Sequence, residues 1–198
     1  MRLFPTLYVF AFLALSCNSH PSGNTRRVEE VVIETGEGDI EIELYADKAP
    51  QSVKAFLAIV DQKLYDNTSF YRVLNMDNQP SNAPKGELMQ GGLWNRRKKK
   101  PELPKIPHEN TQITGLKHLT GTVSLAREEP GTASSEFFIC LTDQPGLDYG
   151  GANNPDGQGY AAFGKVVKGM DVVRKIYRKP ETDQYFDPPV PIFSISRK

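Results

Sequence analysis

Histidines, cysteines and glycine-rich loops are the features of this chain that could carry familiar chemistry, and their spacing removes most of it. The three histidines are His20, His108 and His118, and none stands at the spacing that would put two metal ligands on one face of a helix. His108-Glu109 lacks the second histidine of a zinc-protease helix. The two cysteines are Cys17 and Cys140, too few beyond the N-terminal segment for a thiolate zinc site or an internal disulfide. Gly157-Gln158-Gly159-Tyr160-Ala161-Ala162-Phe163 starts like a dinucleotide-binding turn. Its third glycine is missing and it leads into a strand, where a phosphate site needs a helix N-terminus. No Gly-x-Ser-x-Gly elbow occurs. What remains is a reaction without metal or cofactor.

The basic run Arg96-Arg97-Lys98-Lys99-Lys100 is read as a solvated loop, with an anionic lipid surface as the alternative and no nucleic-acid role. Overall, 24 Lys and Arg balance 24 Asp and Glu, so charge asks for no polyanionic partner.

The first sixteen residues carry one charge, Arg2, ahead of an apolar run that ends in small residues. This is a secretory signal, too short to span a bilayer comfortably. Leu13-Ala14-Leu15-Ser16-Cys17 resembles a bacterial lipobox, which makes Cys17 the acylated first residue of the mature protein. Plain secretion with an unmodified thiol is the alternative. Residues 17–27 then form the lipidated cysteine and a polar tether. The expected location is the bacterial cell envelope, lipid-anchored on the periplasmic side of the outer membrane. Residues 28–198 suit one domain with its own core.

The elements in that domain are mostly strands. Residues 28–35 and 39–45 flank Gly36-Glu37-Gly38, with Ile40, Ile42 and Leu44 alternating against Asp39, Glu41 and Glu43, as in a hairpin with one wet face. From Pro50 the apolar residues Val53, Phe56, Leu57, Val60 and Leu64 recur at three and four positions, which predicts a helix over 50–63. Strands are expected at 69–74, 88–90, 121–126, 136–141, 160–166 and 190–195, and a second helix after Gly169. Two helices and about eight strands imply a mainly β, closed antiparallel barrel capped by two α-helices.

Several segments, taken in order, resemble the cyclophilin family of peptidyl-prolyl cis/trans isomerases. They are Phe70-Tyr71-Arg72-Val73, Met89-Gln90-Gly91-Gly92, Gly121-Thr122-Val123-Ser124-Leu125-Ala126-Arg127, Ser135-Glu136-Phe137-Phe138-Ile139, Phe163-Gly164-Lys165-Val166 and Gly169-Met170-Asp171-Val172-Val173. The similarity runs from about residue 31 to residue 177. It implies an eight-stranded barrel and isomerisation of X-Pro bonds in proline-containing polypeptides, by a monomer, during folding of exported proteins. A catalytically weak proline-binding module or chaperone on the same fold is the rival.

By this resemblance Arg72 and Gln90 are catalytic, with Gln90 holding the substrate backbone and orienting Arg72. Phe138 floors a proline pocket walled by Leu88, Met89 and Leu147. Ala126 and Arg127 flank the neighbouring substrate residue, and Tyr71, Glu136 and Tyr160 complete the substrate-binding surface. Four positions depart from the family pattern. Tyr71 replaces a histidine, and Glu136 replaces a glutamine and adds a charge able to pair with Arg72 or Arg127. Glu87 stands where many members place a pocket phenylalanine, and residues 75–86 form a polar insertion read as inert. Gly146 stands near the place of a tryptophan in cyclosporin-sensitive members, so weak cyclosporin binding is expected.

Overall fold

The computed structural model describes residues 28–94 and 101–198. The signal sequence, Cys17, its tether and the basic run 96–100 lie outside the described residues. In chain order the elements are β1 (Glu29–Thr35), β2 (Gly38–Leu44), α1 (Pro50–Asp61), β3 (Thr68–Leu74), β4 (Leu88–Gly92), α2 (Thr111–Thr114), β5 (Thr122–Leu125) and β6 (Phe137–Cys140). A 3₁₀ turn (Pro145–Leu147), β7 (Ala161–Lys168), α3 (Met170–Tyr177), β8 (Glu181–Thr182) and β9 (Tyr185–Arg197) follow.

Eight strands form one antiparallel sheet in the order β1-β2-β7-β5-β6-β4-β3-β9, and pairing of β1 with β9 closes it into a barrel. Closure gives each of these eight strands a partner on both sides. The two-residue β8 pairs only with the start of β9. Alternation acts as expected along β2, where Ile40, Ile42 and Leu44 are buried against the barrel interior. Phe56 of α1 packs among Phe137, Phe163 and Tyr65, with ring centroids 5.6, 5.1 and 5.4 Å away.

Ala49 precedes α1 and has no side chain that can cap it, while Pro50 takes the first helical position. The carboxylate of Glu109 serves instead. It accepts from the Gln51 and Ser52 backbone N–H groups at 3.1 and 2.8 Å and from the Ser52 hydroxyl at 2.7 Å. A negative group there satisfies orphan donors and suits the positive end of the helix dipole. Glu109 thus tethers a long loop to α1.

Three differences from the sequence reading have local causes. There are three α-helices rather than two, because α2 is four residues long and is set by the Asn110 side chain, which accepts from Gln112 and Ile113 N–H at 3.1 Å. No periodicity announces so short a turn. The last strand begins at Tyr185, not 190, because it pairs with β3 through Tyr185, loops out, and resumes pairing at Val190. The loop holds Pro188-Pro189, which have no N–H for a ladder. β8, two residues long, carries no pattern in the sequence that announces it.

Candidate active site

β3 carries a bulge at Tyr71. Phe70 pairs with Gly91, and the next residue to find a partner on β4 is Arg72, opposite Gln90. A bulge re-aims side chains, so both Tyr71 and Arg72 line a groove outside the barrel while Phe70 and Val73 stay in its core. The unbroken β4 does the opposite. Leu88 and Gln90 face the groove, and Met89 between them is 0 % exposed in the barrel core. Met89, expected on the pocket wall, is therefore a core residue, since strand neighbours point to opposite faces. On β6 the same alternation sends Phe137 and Ile139 inward and Phe138 and Cys140 outward.

Phe138, Leu88, Cys140 and Leu147 form a second apolar cluster, with Leu74, Ala126 and Tyr160 packed against it. Five of these, Phe138, Leu88, Leu74, Ala126 and Tyr160, line the groove of about 480 Å³. Leu147 lies beneath it as support. Tyr160 stands edge-on to Phe138, centroids 5.3 Å apart at 88°. Glu87 turns away and accepts from the Thr142 and Tyr177 hydroxyls at 3.0 and 3.3 Å, leaving Leu88 to supply the wall.

The polar side of the groove is wired differently from the sequence reading. Gln90 Nε2 donates to the Tyr71 hydroxyl at 2.6 Å, and that hydroxyl donates to Glu136 Oε2 at 2.8 Å. Glu136 Oε1 accepts from Leu93 N–H at 3.0 Å and the Ser135 hydroxyl at 2.9 Å. Gly92 makes room: at its φ of +147° a Cβ would stand 2.3 Å from Glu136 Oε2 and 2.8 Å from the Ser135 carbonyl. Burial first, then the Glu136 charge, push the Tyr71 hydroxyl well above the usual phenol range, so it serves as a donor. Tyr71→Phe leaves the Glu136 carboxylate without that donor, and a half-buried charged acceptor losing a hydrogen bond costs about 1.5–3 kcal/mol. Urea unfolding is expected to show that loss, with an unchanged m-value.

Neither arginine pairs with Glu136. Arg72 donates from Nη2 to Gln184 Oε1 at 2.7 Å. Arg127, expected beside the substrate, is 1 % exposed in its side chain. Its Nε and Nη2 donate to the Gly159 carbonyl at 2.8 and 2.7 Å, its Nη1 and Nη2 to Asp156 at 2.7 and 2.9 Å, and its Nη1 to the Glu128 carbonyl at 3.0 Å. Its guanidinium also lies 5.3 Å from the Tyr160 ring centroid. Arg127 touches the groove but its donors are spent on bracing Tyr160 and the loop behind it.

His118, which stands in the sequence without a partner at any telling spacing, supports the groove from behind. It is buried, its Nδ1 is 2.8 Å from Asp148 Oδ1, its Nε2 is 3.0 Å from the Ser124 hydroxyl, and its ring stacks behind Phe138 at 6.0 Å and 17°. The order Ser-His-Asp resembles a hydrolytic triad. Ser124 is itself 0 % exposed, so no substrate reaches it, and the trio fixes the floor of the groove. Burial raises the Asp148 carboxyl, but two hydrogen bonds from His118 and the His118 and Lys117 charges outweigh it and hold the group below its usual value. Such a depressed carboxylate stabilises the fold above its unfolded pKa, near 4, and that contribution is lost as pH falls through the lower native value. Melting followed by near-UV circular dichroism should therefore show this contribution being lost below about pH 4.

Leu74, Trp94 and Tyr185 also line the groove, and Trp94 and Tyr185 are 62 % and 48 % exposed. None lies in a motif. Gly146 leaves space that is already filled, since a Cβ there would meet Asn153 Oδ1 at 2.0 Å.

Fold and groove together define a class: a closed antiparallel barrel that works on its outer wall, with an apolar floor beside a fixed guanidinium. A family profile described as cyclophilin type peptidyl-prolyl cis-trans isomerase/CLD matches residues 30–197. Peptidyl-prolyl cis-trans isomerase B of Escherichia coli (strain K12) is 39 % identical over 147 residues, covering 74 % of this chain and 82 % of that protein. The peptidyl-prolyl cis-trans isomerase of Acinetobacter baylyi is 38 % identical over 167 residues, covering 84 % of this chain and 79 % of that one. A crystal structure of a Cryptosporidium parvum cyclophilin-type isomerase superposes with a TM-score of 0.67 at 23 % identity, over 86 % of this chain and 98 % of that chain. The chain belongs to the cyclophilin-type peptidyl-prolyl cis/trans isomerase family, and it is a peptidyl-prolyl cis/trans isomerase.

Proposed function

We propose that this isomerase turns X-Pro bonds in proline-containing polypeptides exported to a bacterial cell envelope, with Arg72 as the catalytic donor and Phe138 as the floor that grips the proline ring. The single observation that carries the reading is the juxtaposition in one groove of a guanidinium and an apolar floor. A solved Cryptosporidium parvum relative, TM-score 0.66 at 24 % identity over 85 % of this chain and 98 % of that chain, was crystallised in the presence of the dipeptide Ala-Pro, which accords with a prolyl ligand.

The chemistry follows from the amide. Rotation about a peptide bond costs about 18–20 kcal/mol because the nitrogen lone pair is shared with the carbonyl, and X-Pro bonds have an appreciable cis population. In the twisted state the lone pair returns to nitrogen, which becomes an acceptor. A fixed donor there stabilises the twisted amide more than either planar form. A guanidinium does this without proton transfer. Phe138, Leu88 and Tyr160 hold the ring while the preceding carbonyl swings.

Location is read from the N-terminus. Arg2, the apolar run and Leu13-Ala14-Leu15-Ser16-Cys17 support export and acylation at Cys17, and residues 18–27 give the domain reach from a membrane. Slow prolyl steps limit folding, and tethering would place the enzyme where exported chains emerge. Labelling cells with a palmitate analogue tests this. Label on the wild type in the outer-membrane fraction, absent from Cys17→Ala, is the expected result; unlabelled, soluble wild-type protein would refute the anchor.

A further inference from the structure

Arg72 needs an acceptor to hold it, and among the described residues the side chain that accepts from its guanidinium is not that of Gln90, its cross-strand neighbour, but that of Gln184. The partner comes from the far end of the chain. Asp183 and Gln184 turn β8 into β9 with φ of +51° and +73°. That turn is pinned at Gln184, whose N–H donates to Glu181 Oε2 at 2.8 Å and whose carbonyl accepts from the Val73 N–H at 2.8 Å. The Gln184 side chain is thereby laid alongside the residue before Val73, and its Oε1 accepts from Arg72 Nη2 at 2.7 Å.

The amide cannot turn over freely. Its Nε2 donates to the Asn78 carbonyl at 3.0 Å, so Oε1 is left to face the guanidinium. Asn78 is anchored in turn: its Nδ2 donates to the Val73 carbonyl at 3.0 Å, and Asn75 and Asn78 each accept the other's backbone N–H at 2.9 Å. The insertion that looked inert in the sequence therefore reaches the groove through one carbonyl.

We propose that Gln184 is a positioning residue for the isomerase, holding Arg72 in the rotamer that presents the rest of its guanidinium to the substrate, with the Asn75–Asn78 turn holding Gln184. The inference rests on the catalytic role given to Arg72 above. An arginine carries substantial rotamer entropy, and a hydrogen bond formed before substrate arrives removes that cost from the barrier to reaction rather than from binding.

Gln184→Gly is the informative variant, because a glycine suits φ of +73° and keeps both backbone hydrogen bonds while deleting the side chain. In the full chain, kcat for a short X-Pro peptide is expected to fall about tenfold with KM within about twofold, since a freed side chain spends most of its time elsewhere. The melting temperature should be unchanged or higher. The Arg72 guanidinium N–H signals in ¹⁵N NMR, separate in the wild type, should merge as rotation is freed. Gln184→Glu keeps an acceptor for Arg72 but loses the donor to the Asn78 carbonyl, so it should recover only part of the lost kcat. Wild-type kcat in Gln184→Gly, a loss confined to KM, or unchanged Arg72 signals would overturn the proposal. Arg72→Ala measured alongside separates the two ideas: activity surviving there would remove the catalytic role itself, whereas activity lost there but kept in Gln184→Gly would remove only the positioning role.

Discussion

Arg72→Ala is expected to lower kcat/KM for a short X-Pro peptide by about 10²–10³-fold, the range seen when a donor aimed at developing transition-state charge is removed. The loss should fall on kcat. The planar X-Pro bond has no lone pair on nitrogen to accept a hydrogen bond, so the guanidinium contributes little until the amide twists, and an interaction made only then changes kcat and kcat/KM together. Folding should survive, because Arg72 is only half-buried and its absence leaves Gln184 still bonded to Asn78 and Val73. Stopped-flow isomerisation at saturating and limiting peptide separates kcat from kcat/KM. An equal rise in KM with kcat intact would move Arg72 from chemistry to simple binding.

Phe138→Ala should act on the other term. The ring floors the groove, with Tyr160 edge-on above and His118 stacked behind. Burying the three methylenes of a proline ring is worth about 0.8 kcal/mol each, or about 2.4 kcal/mol, on the order of fiftyfold in affinity. KM should rise by that order while kcat at saturation falls less. The same change empties a site that is 2 % exposed, and Phe→Ala in such places costs about 3–5 kcal/mol. The lower end is expected here, because the cluster opens onto the groove and water can enter. Peptide titration and chemical denaturation of one preparation measure both effects. A fall in stability with unchanged KM would mean that the proline binds elsewhere.

Much of this architecture is legible in the sequence because the physics is local. Ile40, Ile42 and Leu44 declare a strand with one dry face, and Val53, Phe56, Leu57 and Val60 declare a helix, since each pattern reflects its own element's period. The errors arise where meaning is carried across space. Met89 sits in the motif yet faces the barrel interior, a fact that alternation from Leu88 and Gln90 already contains. Arg127 is consumed by Asp156 and Gly159, about thirty residues on. Gln184 meets Arg72 across 112 positions, from a turn whose left-handed residues are not glycine. His118 finds Asp148 and Ser124 only once β5 and the loop after the 3₁₀ turn are in place. The bulge at Tyr71 belongs with these, because it is defined by the register of two strands and not by either one.

Glu136 is the departure from family pattern that the structure explains best. Its carboxylate is built into the wall through Tyr71, Leu93 and Ser135, and Gly92 leaves room for it. Tyr71 and Glu136 are thus a connected pair that, with Gln90, gives the groove a polar wall.

Two-dimensional exchange NMR on a proline peptide tests the central claim most directly, because cis-to-trans exchange and binding are read in one sample. Wild-type enzyme at substoichiometric concentration should produce exchange cross-peaks between the cis and trans resonances. Arg72→Ala should broaden or shift the same resonances through binding while the cross-peaks vanish. Cross-peaks of undiminished intensity with Arg72→Ala would contradict the account, since the barrier would then be lowered by something other than the guanidinium beside Phe138.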